Sequence, residues 1–296
     1  MLLSTSTNIC AFTATRRRLP VEFCIEQCAK AGYKVLDFNF CIAMNPDSPL
    51  RGDNWRQYID SVAELSARLG VRFSQSHLPY YDVDKKKGTE EARLMEELIR
   101  RSILGSRVLG VRWAVTHPFT VYAHAEDEKV NRSANLTYYA PHMELAQKNG
   151  VGIALETDFD LPHQKIYCSD IGELIRLCDA FDAPQTAGIC YDFGHANLQK
   201  DKSTHREKLN RIGSRLKAVH VQDNHGTEDE HLLPFFGSID WDDAMAGLRD
   251  IGYDYDLTFE VQEFGRCLPI DMKHLTVKLS RAVGQRLLDM IVAPLT

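Results

Sequence analysis

The chain has 296 residues, 44% of them hydrophobic and 26% charged, the balance of a globular protein long enough to bury a large core without disulfides or a structural metal. Its formal net charge of -6 offers no overall attraction to nucleic acid or anionic membranes, and no segment carries the apolar run needed to span a bilayer. The eight cysteines form no C-x-x-C pair and the N-terminal MLLSTSTNIC lacks a charged stretch before an apolar core, so a reduced, cytoplasmic protein without a signal peptide is expected.

Short β-rich runs alternate with longer stretches of helical periodicity. In chain order, strands are predicted at 2–11, 34–40, 72–77, 112–117, 152–156, 187–192, 218–223 and 257–262. Helices are predicted near 20–31, 53–69, 90–107, 129–149, 170–181, 203–213, 241–250 and 270–290. Gly32, Gly70, Gly110, Gly150 and Gly252 stand where helices end, and glycine accepts the left-handed conformation of a C-cap. Asp240 stands where an N-cap would open the helix at 241–250. Eight strand–helix pairs in strict alternation predict a parallel sheet with helical crossovers, and at this length a single (β/α)8 TIM barrel over residues 1–296. No G-x-G-x-x-G follows the first strand, which argues against a dinucleotide-binding fold. The basic runs Arg16–Arg18 and Lys85–Lys87 read as solvated loops in preference to a phosphate-facing patch.

The strands finish on chemistry-bearing residues. The third ends in His77, the fourth in His117 and the fifth in Glu156; the sixth ends in Asp192 with His195 beyond it. The seventh carries His220 and then Asp223, and the eighth carries Glu260. An apolar strand that closes on an ionisable group is costly unless that group has a partner, and in a barrel these ends converge on one mouth. Any one of these residues alone is more simply a hydrogen-bonded structural group. Their recurrence on successive strands points instead to a carboxylate–imidazole cluster whose mutual repulsion a divalent cation would relieve. Mixed oxygen and nitrogen donors suit Mn, Mg, Co, Fe or Zn. Trp113 and Trp241 read as core, whereas Tyr80 and Tyr81 follow His77 closely enough to reach a pocket.

The segments LET, YDFGH, VHVQDN, DEHLLP with the following GSIDW, and FEV resemble the xylose-isomerase-like superfamily of barrels, over nearly the whole chain. That superfamily includes sugar isomerases and epimerases, inosose-processing enzymes and endonuclease IV. The resemblance implies one divalent metal held by Glu156, Asp192, His220 and Glu260, with Glu156 and Glu260 also serving as acid and base. It implies substrate contacts from His195, with His77, His117 and His225 as further candidates, and a small-molecule sugar or cyclitol as substrate. The expected reaction is isomerisation or epimerisation by proton abstraction next to a carbonyl, through a metal-stabilised enediolate. With a leaving group on the β-carbon, the same chemistry would make a lyase or dehydratase acting on a keto-sugar or keto-glycoside. Members of the family are often homo-oligomers, and some glycoside-cleaving members work with a small partner subunit.

A rival follows from the same resemblance. Endonuclease IV, a trinuclear zinc phosphodiesterase, uses a pattern that His77, His117, Glu156, Asp192, His195, His220, Asp229, His231 and Glu260 match by type, which makes Asp229 and His231 candidates for additional metal. The acidic segment TEDEHLLP and the net charge of -6 disfavour a nucleic-acid partner. Two departures from the sugar-enzyme pattern bear on substrate. No arginine follows His220 closely, leaving His225 as the basic residue of that loop, and Phe235-Phe236 interrupt the usual glycine turn. No phosphate-cradling glycine loop is present, so a phosphorylated substrate is not expected. A non-catalytic binding barrel is the third reading, and the intact acid and base candidates argue against it.

Overall fold

The computed structural model describes residues 1–292. Eight parallel strands occur in chain order: β1 (Leu3–Ser6), β2 (Val35–Asn39), β3 (Arg72–His77), β4 (Trp113–Thr116), β5 (Gly152–Glu156), β6 (Ala187–Asp192), β7 (Leu216–His220) and β8 (Leu257–Phe259). Between and after them lie α1 (Val21–Ala31), α2 (Trp55–Leu69), the short α3 (Val83–Lys86), α4 (Glu90–Val108), α5 (Glu128–Lys148), α6 (Ile171–Ala180), the short α7 (Phe193–Leu198), α8 (His205–Ile212), α9 (Trp241–Asp250) and α10 (Lys273–Val292). The strand order is β7-β6-β5-β4-β3-β2-β1-β8. A single parallel bridge, Val221 with Phe259, closes the ring, through Val221 N–H to the Thr258 carbonyl (2.8 Å) and Glu260 N–H to the Val221 carbonyl (3.1 Å). The fold is therefore a (β/α)8 TIM barrel.

All five expected C-cap glycines adopt positive φ, from 64° at Gly252 to 95° at Gly32. Asp240 caps α9 by accepting the N–H groups of Asp242 and Asp243. The first strand is shorter than expected: it stops at Ser6, and the apolar Ile9-Cys10-Ala11 segment is buried as turns. The seventh strand also sits earlier than expected, starting at Leu216.

Side-chain alternation divides the interior. One set of strand residues (Leu36, Ile153, Ile189, Val219) packs outward against the helices in the main core. The other set forms a small cluster inside the ring: Trp113, Val115, Ala154, Cys190 and Ala218. Trp113 fills the floor so tightly that a Cβ on Gly152 would lie 2.2 Å from its indole, so the residue opposite must be glycine. The period of two then fixes the mouth. One step above Val115, Ala154, Cys190 and Ala218, on the same inner face, stand His117, Glu156, Asp192 and His220.

Candidate metal centre

Glu156, Asp192, His220 and Glu260 each bring a ligand atom into a group whose atoms lie within 4.8 Å of one another. His220 Nδ1 is 2.6 Å from Glu156 Oε1, 3.3 Å from Glu260 Oε2 and 4.0 Å from Asp192 Oδ2. The far nitrogen of the same ring, Nε2, points at Asp37 Oδ2 at 3.8 Å. Four further groups are as closely spaced among the described residues; two bring in new imidazoles, His77 and His117 with Glu156, and His195 and His231 with Asp229, and two overlap the first, His77 with His220 and Glu260, and Cys190 with Glu156 and His220. Glu156 Oε2 is 3.3 Å from both His77 Nε2 and His117 Nε2, so this carboxylate joins the first two groups.

Backbone carbonyls set the tautomers. A carbonyl only accepts, so the ring nitrogen facing it carries the proton. His77 Nδ1 donates to Leu78 O (2.8 Å), His195 Nδ1 to Thr157 O (2.9 Å) and His231 Nδ1 to Glu260 O (2.9 Å). Each leaves Nε2 turned toward carboxylates, the arrangement by which metal-binding imidazoles are oriented. His231 Nε2 is 2.9 Å and His195 Nε2 3.5 Å from Asp229 Oδ2.

The electrostatics are those of a crowded acidic site. Burial pushes Asp192 up to about 7, helped by Glu156 and Asp229 and opposed by His195. Burial raises Asp158 to about 6. Burial would also raise Glu156, but His220 and His117 hold it well below the usual carboxylate range. Burial takes His117 down to about 3, whereas Asp229 overcomes burial and lifts His231 to about 9.

These residues fit a divalent cation. Asp192 Oδ2 is buried with no hydrogen-bond partner among the described residues, as is His117 Nδ1. The partners of the three carboxylates of the four-residue group are imidazoles, the Gln222 side-chain amide and the His195 backbone N–H, with no lysine or arginine among the described residues. Oxygen and imidazole donors at this density suit a divalent ion.

Of the residues expected at the mouth, ten are brought together: His77, His117, Glu156, Asp192, His195, His220, Asp229, His231, Glu260 and Tyr80, the last forming part of two adjoining cavities of about 360 and 280 Å³. His225 is not among them. It is 58% exposed and its Nδ1 pairs with Glu230 at 2.8 Å, which turns it outward. Asp223 is buried but has a structural task, accepting from Asn224, Phe235, Ile239 and Trp241. Phe235 and Phe236 lie outside both cavities, half exposed. A larger cavity of about 880 Å³, lined by α4 and α5, contains no member of the cluster.

Three residues near the cluster escaped sequence reasoning. Gln222 donates through Nε2 to Asp192 Oδ1 (3.2 Å) and Asp229 Oδ1 (2.6 Å), tying two of the groups together. Asp37 accepts from Gln75 Nε2 (2.9 Å) behind His220. The signal for Asp37 was present, since an aspartate flanked by Leu36 and Phe38 in a buried strand needs a partner as much as one at a strand end. Glutamines carry no such signal.

The comparisons with known proteins agree with this architecture. An uncharacterized protein of Methanocaldococcus jannaschii is 29% identical over 210 residues, covering 68% of each chain. Among solved structures, a D-tagatose 3-epimerase-like protein superposes with a TM-score of 0.74 at 22% identity, covering 99% of this chain and 98% of that one. The IOLI protein with a binding zinc atom superposes with a TM-score of 0.72 at 16% identity, covering 99% and 98%. The sequence profile described as xylose isomerase-like TIM barrel matches residues 25–275, and the chain belongs to that family.

Proposed function

We propose that the protein is a divalent-metal-dependent isomerase or epimerase of a small sugar or cyclitol. The observation that carries this reading is the convergence of Glu156, Asp192, His220 and Glu260 within 4.8 Å at the barrel mouth, beside a cavity of about 280 Å³ that Glu260 lines. The epimerase-like and zinc-binding structures that share the fold support it.

These four residues would hold the cation, which supplies Lewis-acid stabilisation of charge developing on a substrate oxygen. Glu156 ends β5 and Glu260 directly follows β8, and the two would act as base and acid across the bound substrate. Glu156 is held as a carboxylate by His220 and His117. His195, its Nδ1 fixed by Thr157, would present Nε2 to a substrate oxygen. Return of the proton at the neighbouring carbon gives isomerisation, and return on the opposite face of the same carbon gives epimerisation. Loss of a β-substituent would give elimination.

A specific observation favours a second reading. Among the overlapping groups are three that together use all nine ligand-type residues, His77–His117–Glu156, Glu156–Asp192–His220–Glu260 and His195–Asp229–His231, as a trinuclear phosphodiesterase would need. Elemental analysis of the purified protein separates the two. About one Mn, Co, Mg or Fe per chain, with turnover of a ketose or cyclitol abolished in Glu260→Gln, supports the isomerase. About three Zn per chain, with cleavage of DNA at abasic sites, overturns it.

A further inference from the structure

The arginine expected after His220 is absent, yet the cavity beside Glu260 holds one guanidinium, and it comes from the opposite end of the sequence. Among its lining residues the only lysine or arginine is Arg18. A tight hairpin after β1 sets its place: Phe12 and Arg18 form an antiparallel bridge, Leu19 N–H donates to the Ala11 carbonyl at 2.7 Å, and Arg16 takes φ 58° at the turn. Arg266 steadies the hairpin from the far side by donating to the Ala14 carbonyl at 3.3 Å.

Arg18 stacks on the Phe12 ring at 4.7 Å and is half-buried. No carboxylate among the described residues pairs with it. Arg100 and Arg215, also partly buried, are by contrast held by Glu97 and Asp179, so the Arg18 guanidinium is left to face the cavity. The same cavity is lined by Asn8, Asn39 and Gln262. Asn8 Oδ1 and Gln262 Oε1 are buried without a hydrogen-bond partner among the described residues, and Asn8 is 7% exposed. Amide residues on a cavity wall suit a ligand bearing hydroxyl groups, and a half-desolvated guanidinium stacked on an aromatic ring suits a planar or tetrahedral oxyanion.

We propose that Arg18 recognises an anionic group on the substrate, and that the substrate is accordingly a sugar or polyol bearing a carboxylate or a phosphate monoester besides the carbonyl. This rests on the sugar-active reading of the carboxylate cluster and gives it a substrate class; it revises the expectation drawn from the missing glycine loop, since a guanidinium can hold a phosphate without one. Arg18 thereby takes the place of the missing arginine of the β7 loop, from the hairpin that follows β1.

The test titrates D-fructose, D-fructuronate and D-fructose 6-phosphate into the metal-loaded protein by calorimetry, for the natural chain and for Arg18→Gln. The expected result is binding of one anionic ketose at least about tenfold tighter than D-fructose, the gap closing in Arg18→Gln. Which anionic ketose gains distinguishes carboxylate from phosphate. Arg18→Lys keeps the charge without the fork and should retain part of the gap. Metal content and thermal midpoint unchanged in both variants establish that the fold and the four-residue group are intact. Equal affinities for the three sugars, or a gap that persists in Arg18→Gln, overturn the role of Arg18. If D-fructose is bound and turned over with no anionic preference, the role of Arg18 and the substrate class fail together while the sugar-active reading stands. If no sugar binds while metal is retained, the sugar-active reading fails with it.

Discussion

Replacing Asp223 with asparagine probes how the loop carrying Asp229 and His231 is held. The Asp223 carboxylate accepts four hydrogen bonds, two on each oxygen. Oδ1 takes the N–H of Asn224 (2.9 Å) and of Ile239 (3.2 Å); Oδ2 takes the N–H of Phe235 (3.0 Å) and the indole Nε1–H of Trp241 (3.0 Å). Asparagine has nearly the same shape but only one acceptor oxygen. Whichever way its amide turns, two of the four donors face an NH2 group. Two charge-assisted hydrogen bonds are then lost and two donors left without partners, a cost of roughly 3–6 kcal/mol. Urea unfolding of natural protein and Asp223→Asn reads that difference directly, and hydrogen exchange at the Phe235 and Ile239 amides locates it. His220 lies on β7 itself, ahead of the loop, so metal uptake by the four-residue group should persist. A loss of stability under about 1 kcal/mol, with both amides still protected, would refute the view that this carboxylate anchors the loop.

Gly194 approaches Gln222 so closely that a Cβ there would lie 2.1 Å from the Gln222 side chain. Gly194→Ala must displace the amide that ties Asp192 to Asp229, and metal affinity measured by chelator competition should fall about 10- to 100-fold; an unchanged affinity counts against a role for Gln222 in orienting Asp192. His205 is buried against the Tyr191 hydroxyl (2.8 Å), and burial takes it down to about 3. Its folded-state value lies below the unfolded one of about 6.5. The unfolded chain therefore takes up the proton first, and stability present above about pH 6.5 is lost as pH falls toward 3, by about 2 kcal/mol at pH 5. His205→Gln lacks this titration, so equal losses between pH 7 and pH 5 in the two proteins would sink the assignment.

The sequence made the inner rim legible because two signals coincide there. Apolar runs located the strands, and an ionisable residue closing such a run located its upper end, which is how Glu156 and Asp192 could be assigned before their neighbours were known. The C-cap glycines gave the lower ends with equal clarity. The outer parts of the site followed no such rule. His225 looked available as the basic residue of its loop until Glu230, five residues on, was seen to pair with it. Arg18 sat in a run of three arginines, and nothing in the run distinguishes the one that turns inward; the hairpin register with Phe12 does that. The same limit explains β1, where burial of Ile9 and Cys10 is common to strand and turn and so could not mark where extended pairing stops.

The ring closes between β7 and β8 through one bridge, whereas β5 and β6 share a register of four residue pairs. His220 and Glu260 flank this seam, one on each bank. A cation held by both would clasp the barrel at its thinnest joint, so that occupancy of the mouth and opening of the wall become one equilibrium. Breathing of the Val221 and Glu260 amides would then report, from the backbone, whether the mouth is filled.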